Sequence, residues 1–394
     1  MKKGLFSVVI VCYNQADLIY DCIDSILEQT YPQIEIIIAD DHSYDYDYEK
    51  LSKYIEKKAK DNLKRYEIFT NEKNLGIVKN CNKGGSLAQG EFMKSIAADD
   101  TFYDDKVFER MAKKLKNPNN GILCARAKAI RRDGKPTDDK YPSDVEFEIL
   151  SSLSASTSEM YRYMVTRPWS PIFAPGVFWR TELFRKIGGY DENYTFTEDW
   201  PCWIKLARNE VKFCFVDDIV VKYRYGGISN QSLEQIPNLL RRIHYGECVR
   251  MLRNEYANVK DKFGNGAALR CWYSAEAIEM RDVLEFDWNS MGFAQKLKYR
   301  IKKLPVICYI KLMVAINYDK NFHIKNELII AAILACLLIT ERQLIPQYDL
   351  TTVTAWVTLI LLCMMGLKLF GNMMLFLLRK RAMLKTKMSG GNGR

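Results

Sequence analysis

The stretch that decides the fold is residues 34–41, IEIIIADD, an apolar run that ends in two aspartates. Residues 91–100, EFMKSIAADD, repeat this pattern. A continuous, Ile-rich run is typical of a strand that is buried on both faces of a parallel sheet. Ligands of such sheets bind in the crevice at the carboxyl ends of the strands. The two strand tips, which carry Asp41 and Asp99, therefore predict a crevice for a nucleotide and a hard cation.

Strand-like and helix-like segments alternate from residue 5 to residue 116, which indicates an α/β fold with a doubly wound parallel sheet. The predicted strands are residues 5–12, 34–39, 65–70 and 91–97, and the predicted helices are 16–29, 49–62, 77–89 and 105–116. The pattern is looser after residue 120. There it predicts a strand at 121–125, a polar loop at 132–158, a helix at 198–209 and a strand at 213–221, and residues 230–295 have a charged, helical pattern.

Composition argues against several classes of protein. The 11 cysteines are scattered without a CxxC pair, which favours reduced thiols over a disulfide framework. Three histidines in 394 residues make a His-rich zinc site or a Ser-His-Asp triad improbable. The net charge of +10 comes from the C-terminal part, because residues 1–295 carry a net charge of −2. A nucleic-acid-binding protein normally carries its basic patch on the folded domain, so we expect no nucleic-acid partner.

Two apolar stretches of the C-terminal part lie between basic segments. Residues 328–340 are short for a membrane span, whereas residues 351–378 contain one charge, Lys368, and are long enough. If both span, they form a hairpin, and the positive-inside rule places both basic flanks and the N-terminal domain in the cytoplasm. The basic segment that precedes them is either an interfacial segment on anionic lipid or an ordinary linker helix. A buried hairpin of a soluble domain is the alternative to the membrane hairpin.

Several short stretches, taken in order, resemble the family 2 glycosyltransferases, which have the nucleotide-sugar-binding GT-A fold. They are SVVIVCYN (7–14), IIADDHS (37–43), NLGIVKNCNKGGSLAQGEFMKSIAADD (74–100), TEDW (197–200) and YRYGGIS (223–229). The resemblance covers residues 5–230 and implies a membrane-anchored enzyme of the bacterial type. No single stretch is specific for this family, but the order and spacing of the whole set are.

The resemblance implies a nucleotide site at the first two strand ends. It places Tyr13 and Asn14 near the base, and it implies that Asp41 accepts a hydrogen bond from the uracil imide N–H. Asp40 either reaches the ribose or supports the turn. The same resemblance adds a loop that packs against the nucleotide and a cation that meets the diphosphate; these residues are Asn74, Gly76 and Arg224.

Asp99 and Asp100 occupy the position of the family's metal-binding DXD motif. Ala97 stands where the first aspartate of this motif is usual, so Asp99 is the expected ligand of Mn²⁺ or Mg²⁺. One carboxylate is sufficient where phosphate oxygens and waters complete the coordination. The departure at Ala97 leaves the need for metal open.

On the acceptor side, the resemblance makes Asp199 the general base. Thr197 is a plausible cap of the helix that Asp199 opens, and the helix N-terminus is expected to favour an ionised, weakly basic carboxylate. The expected acceptor-binding residues are Asp191, Glu198 and Trp200, although aromatic residues at this spacing are equally typical of a core.

Together these features predict an inverting glycosyltransferase that moves one sugar from a nucleoside-diphosphate sugar, with UDP as the expected carrier, to a lipid-linked glycan. Processive synthases of this superfamily carry a QxxRW sequence, which is missing here. A sugar nucleotidyltransferase would need a Gly-rich phosphate loop with an Arg after the first strand, and CYNQAD differs from that. The other alternative is a catalytically inactive, membrane-bound glycan-assembly or binding protein.

The expected domain organisation has four parts. Residues 1–228 are a GT-A domain with a nucleotide-binding half (1–115) and an acceptor half (116–228). They are followed by a helical linker (229–295), a basic interfacial segment (296–325), and a transmembrane hairpin with a basic tail (326–394).

Overall fold

The computed structural model describes residues 1–44, 46–226, 238–307 and 309. The strands of these residues are β1 (Lys2–Cys12), β2 (Ile34–Asp40), β3 (Leu63–Thr70), β4 (Gly90–Ala97), β5 (Thr101–Phe102), β6 (Ile122–Ile130), β7 (Pro136–Tyr141), β8 (Val177–Arg180) and β9 (Phe213–Arg224). The helices are α1 (Ile19–Leu27), α2 (Tyr48–Lys58), α3 (Ile77–Leu87), α4 (Val107–Leu115), α5 (Asp144–Leu153), α6 (Thr157–Val165), α7 (Thr181–Lys186), α8 (Asp199–Arg208), α9 (Asn238–Phe263), α10 (Asn265–Asp282) and α11 (Phe293–Lys302).

One sheet, in the order β3-β2-β1-β4-β8-β6-β9-β5 with β7 paired to β6, organises the domain. Its first four strands are parallel, as predicted for residues 1–116. The second half is mixed, because β8 runs antiparallel to both β4 and β6 while β9 is parallel to β6. The fold is thus α/β with a mixed sheet and flanking helices.

Burial of both faces of β1 explains why the strand is apolar throughout. Val9 and Val11 contribute to the apolar layer on one face of the sheet. Phe6, Val8 and Ile10 contribute to the layer on the other face, together with α1 and α4. A strand that is covered on both sides has no solvent-facing position, so it loses the apolar–polar alternation of an exposed strand.

The strand register aligns the carboxyl ends of β1, β2 and β4. Cys12 pairs with Asp40, and Val11 pairs with Ala97. Backbone bonds continue this alignment past the strands, since the Asp41 amide donates to the Cys12 carbonyl at 3.0 Å. The aspartates of both strand tips therefore lie at the same edge of the sheet.

The polar stretch at 132–158 is not a loop, which corrects the prediction. It contains β7 and α5, and Ser156 opens α6. The hydroxyl of Ser143 accepts a bond from the Glu146 amide at 3.3 Å, and Ser156 does the same for Glu159 at 3.2 Å. These serine caps were the available signal, but the polar surface of the short helices hid it.

Residues 238–295 are helical, but they do not form a separate linker. Tyr245, Leu252 and Cys271, on α9 and α10, are buried in the same apolar layer as Trp203. The described residues up to Val306 belong to one compact unit. A linker would expose both faces of its helices, whereas α9 and α10 pack into an apolar layer of the sheet domain.

None of the helices in the described ranges has the length and apolar character needed to cross a bilayer. The predicted hairpin and tail, residues 326–394, lie outside these ranges. So does most of the predicted basic segment, of which 296–307 and 309 are described.

Candidate active site

The two aspartates at the end of β2 differ in their surroundings. Asp40 is fully buried, and its carboxylate accepts bonds from the Ser43 amide (3.1 Å), the Tyr48 hydroxyl (2.6 Å) and the Thr70 hydroxyl (2.7 Å). These three bonds go to one oxygen, and the Ser43 hydroxyl donates to the other. Of the two predicted roles of Asp40, the geometry matches support of the turn and leaves no free face for a ribose.

Asp41 holds the loop that precedes α3. Its carboxylate accepts bonds from the amides of Leu75 (2.8 Å) and Gly76 (2.9 Å) and from the side-chain amide of Asn71 (2.9 Å). A carboxylate has about four acceptor positions, so one position remains for a ligand. Contact with a base stays a prediction.

The same loop joins the two halves of the domain. Gly76 has φ +85°, and a Cβ at this position would lie 2.9 Å from Cγ2 of Thr195. Only glycine combines this backbone conformation with such a close approach. The Asn74 side-chain oxygen accepts from the Gly76 amide at 3.0 Å and fixes the turn.

Tyr13 and Asn14 lie at the exposed end of β1. The Tyr13 side chain is 47% exposed. Asn14 has φ +53°; its amide donates to the Ser43 hydroxyl at 2.7 Å, and its side-chain oxygen accepts from the Tyr44 amide at 3.3 Å. The end of β1 is therefore tied to the turn after β2, and the Tyr13 ring is left accessible beside it.

Asp99, Asp100 and Arg224 form one polar group at the end of β4. Asp100 is buried and accepts from the Arg224 amide at 2.8 Å, while the Arg224 Nε–H donates to the Asp99 carbonyl at 3.0 Å. The Arg224 guanidinium also forms a 3.4 Å ion pair with Asp21. Partial burial raises the pKa of the Asp99 carboxyl, whereas a bond from Gln15 and the charge of Arg224 oppose the increase.

These residues fit a metal ion only if a bound ligand supplies further coordinating oxygens. No set of three or more His, Cys, Asp or Glu side chains in the described ranges could hold a metal. The Asp100 carboxylate is engaged with the backbone, so Asp99 is the carboxylate that remains for a cation. Mg²⁺ and Mn²⁺ sites often combine one or two carboxylates with phosphate oxygens and water, and the donor set matches that type.

Glu198 and Asp199 form the second acidic group, at the N-terminus of α8. Both side chains are half-buried, and the Trp200 amide donates to the Asp199 carboxylate at 2.6 Å. Burial raises the pKa of Asp199 to about 6. Burial and the neighbouring Asp199 charge raise the pKa of Glu198 to about 8. At neutral pH the pair therefore favours one ionised and one protonated carboxyl group.

At this helix end, desolvation outweighs the effect of the helix N-terminus. We expected a weakly basic Asp199, whereas burial raises the pKa of its carboxyl group. Thr197 does not cap α8. Its hydroxyl instead contacts Nδ1 of His244 at 3.0 Å, and no side chain caps the helix.

The aromatic residues of α8 belong to the core. Trp200 is 2% exposed, so its side chain lies in the core, in contrast to its predicted acceptor-binding role. Trp203 is fully buried and stacks on Trp179 with ring centroids 5.5 Å apart. Asp191 is partly exposed and accepts from the amide and the side chain of Asn193, which stabilises its own turn.

The acidic groups of the two halves lie around the same helix. Burial raises the pKa of Cys81 on α3, and the charges of Glu198 and Asp41 raise it further. Cys81 thus lies within electrostatic reach of both carboxylates. The close approach of Gly76 to Thr195 is a second link between residues 1–115 and residues 116–228.

Sequence reasoning missed the residues that support Asp199 from a distance. Glu247 of α9 is 6% exposed, and its carboxylate accepts from the amides of Thr195 (2.6 Å) and Phe196 (3.0 Å). This pair of bonds fixes the backbone just before Glu198. No local pattern connects residues that are about 50 positions apart, so only the fold could reveal them.

Comparison with known proteins agrees with this geometry. Residues 7–187 match the family described as "Glycosyl transferase family 2". An uncharacterized glycosyltransferase of Methanocaldococcus jannaschii is 24% identical over 225 residues, which cover 57% of this chain and 72% of that protein. A PGL/p-HBAD biosynthesis glycosyltransferase of Mycobacterium bovis is 26% identical over 237 residues, covering 60% and 83%.

A solved structure resembles the fold. The mannosyltransferase PcManGT of Pyrobaculum calidifontis, in complex with GDP-Man and Mn²⁺, is 17% identical and superposes with a TM-score of 0.51, covering 84% of this chain and 86% of that one. The sheet topology and the aspartates at the strand ends are consistent with the match to this family. Residues 7–187 thus match glycosyl transferase family 2, and the chain is a glycosyltransferase.

Proposed function

We propose that this enzyme is an inverting, non-processive glycosyltransferase, with a uridine-diphosphate sugar as donor and the hydroxyl of a lipid-linked glycan as acceptor. The observation that carries the proposal is the half-buried pair Glu198 and Asp199, in which Asp199 has a pKa of about 6. Such a carboxylate is ionised at neutral pH and more basic than an ordinary aspartate, as a general base requires.

The reaction follows from these protonation states. Asp199 accepts the proton of the acceptor hydroxyl while the oxygen attacks the anomeric carbon from the face opposite the nucleotide. The bond between this carbon and the diphosphate oxygen breaks, and the nucleoside diphosphate leaves. The transition state is oxocarbenium-like, as in glycoside hydrolysis. Protonated Glu198 adds no second negative charge beside the base.

The donor is held at the edge formed by the ends of β1, β2 and β4. The exposed ring of Tyr13 offers a stacking surface for a base, and Asn14 orients the adjoining turn. Asp41 retains one acceptor position for an imide N–H, which uracil provides. Asn74 and Gly76 shape the loop that Asp41 holds before α3.

Asp99 would hold a divalent cation, Mg²⁺ or Mn²⁺, together with the donor diphosphate. When bound, such an ion neutralises negative charge on the leaving diphosphate. Arg224 lies beside Asp99 and contributes a fixed positive charge. Ala97 removes one ligand of the usual motif, so the cation depends on phosphate oxygens for the rest of its coordination.

The proposed acceptor class and membrane location rest on the sequence. Residues 326–394 have the composition of a membrane hairpin with a basic tail, and the positive-inside rule then places the catalytic domain at the cytoplasmic face of the membrane. A membrane-held enzyme meets lipid-linked saccharides at their polar end. Cell-surface polysaccharide synthesis uses acceptors of this class.

The test is release of nucleotide by the purified full-length protein. A panel of UDP-, GDP- and dTDP-sugars is assayed with Mn²⁺ and with EDTA, with and without a lipid-linked acceptor extract, alongside Asp99→Asn. Release from a UDP-sugar that requires Mn²⁺ and Asp99 supports the proposal. Release only from another nucleotide overturns the donor assignment, and EDTA-resistant release overturns the role of Asp99.

A further inference from the structure

The helix α11 and the turn that follows it expose apolar side chains and bury a lysine. Lys303, just after this helix, is 6% exposed and points inward, where its Nζ forms ion pairs with Glu276 (2.5 Å) and Glu279 (3.1 Å) of α10. Phe293 is in contrast 83% exposed, and Leu297 is 50% exposed. A helix that faces only water would place these residues the other way round.

The exposed apolar residues form a stripe. Phe293, Leu297 and Leu304 are separated by four and seven residues, which is the spacing of one helix face. Leu304 lies in the helical turn that follows α11 and is 56% exposed. We call the stripe of Phe293, Leu297 and Leu304 the apolar stripe.

Cations and an indole ring border the apolar stripe. Lys296 and Arg300 lie over the ring of Trp288, with their charged groups 5.5 and 4.9 Å from its centroid. The sequence of α11, FAQKLKYRIK, has four Lys or Arg residues and no acidic one. An apolar face flanked by long cationic side chains and aromatic rings is the pattern of a helix that lies in a membrane interface.

We propose that the apolar stripe docks on an anionic phospholipid surface, with its apolar side chains in the interfacial region and Lys296 and Arg300 among the headgroups. The charge of α11 favours this occupant over a second copy of the chain, because two copies would bring two cationic helices together. The inference rests on the proposed membrane location, but it does not require the hairpin to span.

Ion pairs and packing contacts connect the apolar stripe to the active site. The ion pairs of Lys303 attach this segment to α10, and α10 packs on α9 through Cys271, whose thiol contacts the Leu252 carbonyl at 3.3 Å. Glu247 of α9 then holds the backbone before Glu198. Docking of the apolar stripe would therefore fix the distance and orientation of the acceptor carboxylates relative to the membrane.

The experiment is photo-crosslinking of the full-length protein in vesicles of phosphatidylcholine with phosphatidylglycerol. p-Benzoyl-phenylalanine replaces Phe293 in one sample, Lys298 on another face of the same helix in a matched control, and Leu359 of the predicted span in a third. Lipid adducts are counted by mass spectrometry after irradiation. We expect about tenfold more adduct at position 293 than at position 298.

Each outcome decides the inference. An adduct at 293 with little at 298 supports the docking surface, whether or not position 359 is labelled. Equal labelling at 293 and 298, or labelling at 359 alone, overturns the surface while the membrane location stands. No adduct at any position overturns the membrane location as well. Nucleotide release by the same samples reports on the transferase separately.

Discussion

At the residue scale, the unequal pKa values of Glu198 and Asp199 predict unequal effects of two isosteric variants. Asp199→Asn removes the base, and we expect kcat to fall by about 10²- to 10⁴-fold. Glu198→Gln resembles the protonated state that Glu198 already has at neutral pH, because its pKa is about 8. We expect it to retain activity within about tenfold. Steady-state transfer at pH 7 measures both.

A result in which Glu198→Gln is as inactive as Asp199→Asn would contradict this assignment. It would mean that Glu198 is the base, or that the two carboxyl groups act as one unit. Binding of the nucleotide to both variants serves as the control for folding, because neither residue lies at the strand ends that carry Asp41 and Asp99.

The same pair predicts the pH dependence. A general base must be deprotonated, so kcat/KM should rise with pH as Asp199 loses its proton, with an acidic limb near pH 6. An ordinary aspartate would place this limb near pH 4. The profile of kcat/KM from pH 4 to pH 9 measures it, and a limb near pH 4 would show that burial does not control the base.

At the scale of elements, the bonds of Glu247 to the backbone before Glu198 predict that α9 positions the base. Glu247→Gln keeps the size of the side chain but weakens its two bonds to the Thr195 and Phe196 amides. We expect kcat to fall by about tenfold with little change in the donor KM, because the shift moves Asp199 and not the nucleotide edge. Kinetics with varied donor separates the two parameters.

Glu255→Gln is the matched control for Glu247→Gln. Glu255 lies on the same helix with similar burial and accepts from the Tyr161 hydroxyl at 2.6 Å, away from the 195–198 backbone. It should lower the melting temperature without a selective loss of kcat. Equal losses of kcat in both variants would attribute the effect to general destabilisation.

Lys94 of β4 predicts an effect on stability. The side chain is fully buried, its Nζ donates to the Ser95 carbonyl at 2.6 Å and lies 5.4 Å from the Phe178 ring, and burial lowers its pKa to about 7. Below pH 7 the folded protein therefore buries a charge. Lys94→Met removes this cost, and we expect a gain of about 1 kcal/mol or more in the free energy of unfolding, because one pKa unit corresponds to about 1.4 kcal/mol.

The sign of the pH dependence follows from linkage. Between pH 7 and about 10.4 the unfolded chain binds the lysine proton and the folded chain does not, so the cost decreases as pH rises. The advantage of Lys94→Met should thus be larger at pH 7 than at pH 10. Urea denaturation at both pH values tests this, and an equal advantage would show that Lys94 is not the titrating group.

At the scale of the whole molecule, removal of residues 326–394 should separate donor chemistry from acceptor access. We expect release of nucleotide in detergent to persist, because the described domain contains the strand-end groups and Asp199. Transfer to a lipid-linked acceptor in vesicles should fall by about tenfold or more, because the proposed anchor raises the local concentration of that acceptor. Unchanged transfer in vesicles would contradict the proposed anchor.

The sequence alone determined the parallel half of the sheet and the positions of its acidic ends. The apolar runs before Asp41 and Asp99 are local, and a buried strand followed by polar residues has few alternatives. Ordered motifs extended this to a resemblance to glycosyl transferase family 2 and to the prediction that Asp199 is the base. The short helices after residue 132 were missed because their buried faces are small and their polar faces resemble a loop.

Only the tertiary structure decided how the site is supported and which predicted residues face a ligand. Trp200 is a core residue, Asp40 supports a turn, and Glu247 reaches the 195–198 backbone from another helix, because packing partners distant in sequence set burial and hydrogen bonding. The pKa of Asp199 follows the same rule, since desolvation depends on everything that surrounds the carboxylate and not on its position in a helix. Local patterns thus determined where the acidic groups stand, and long-range packing determined what each of them does.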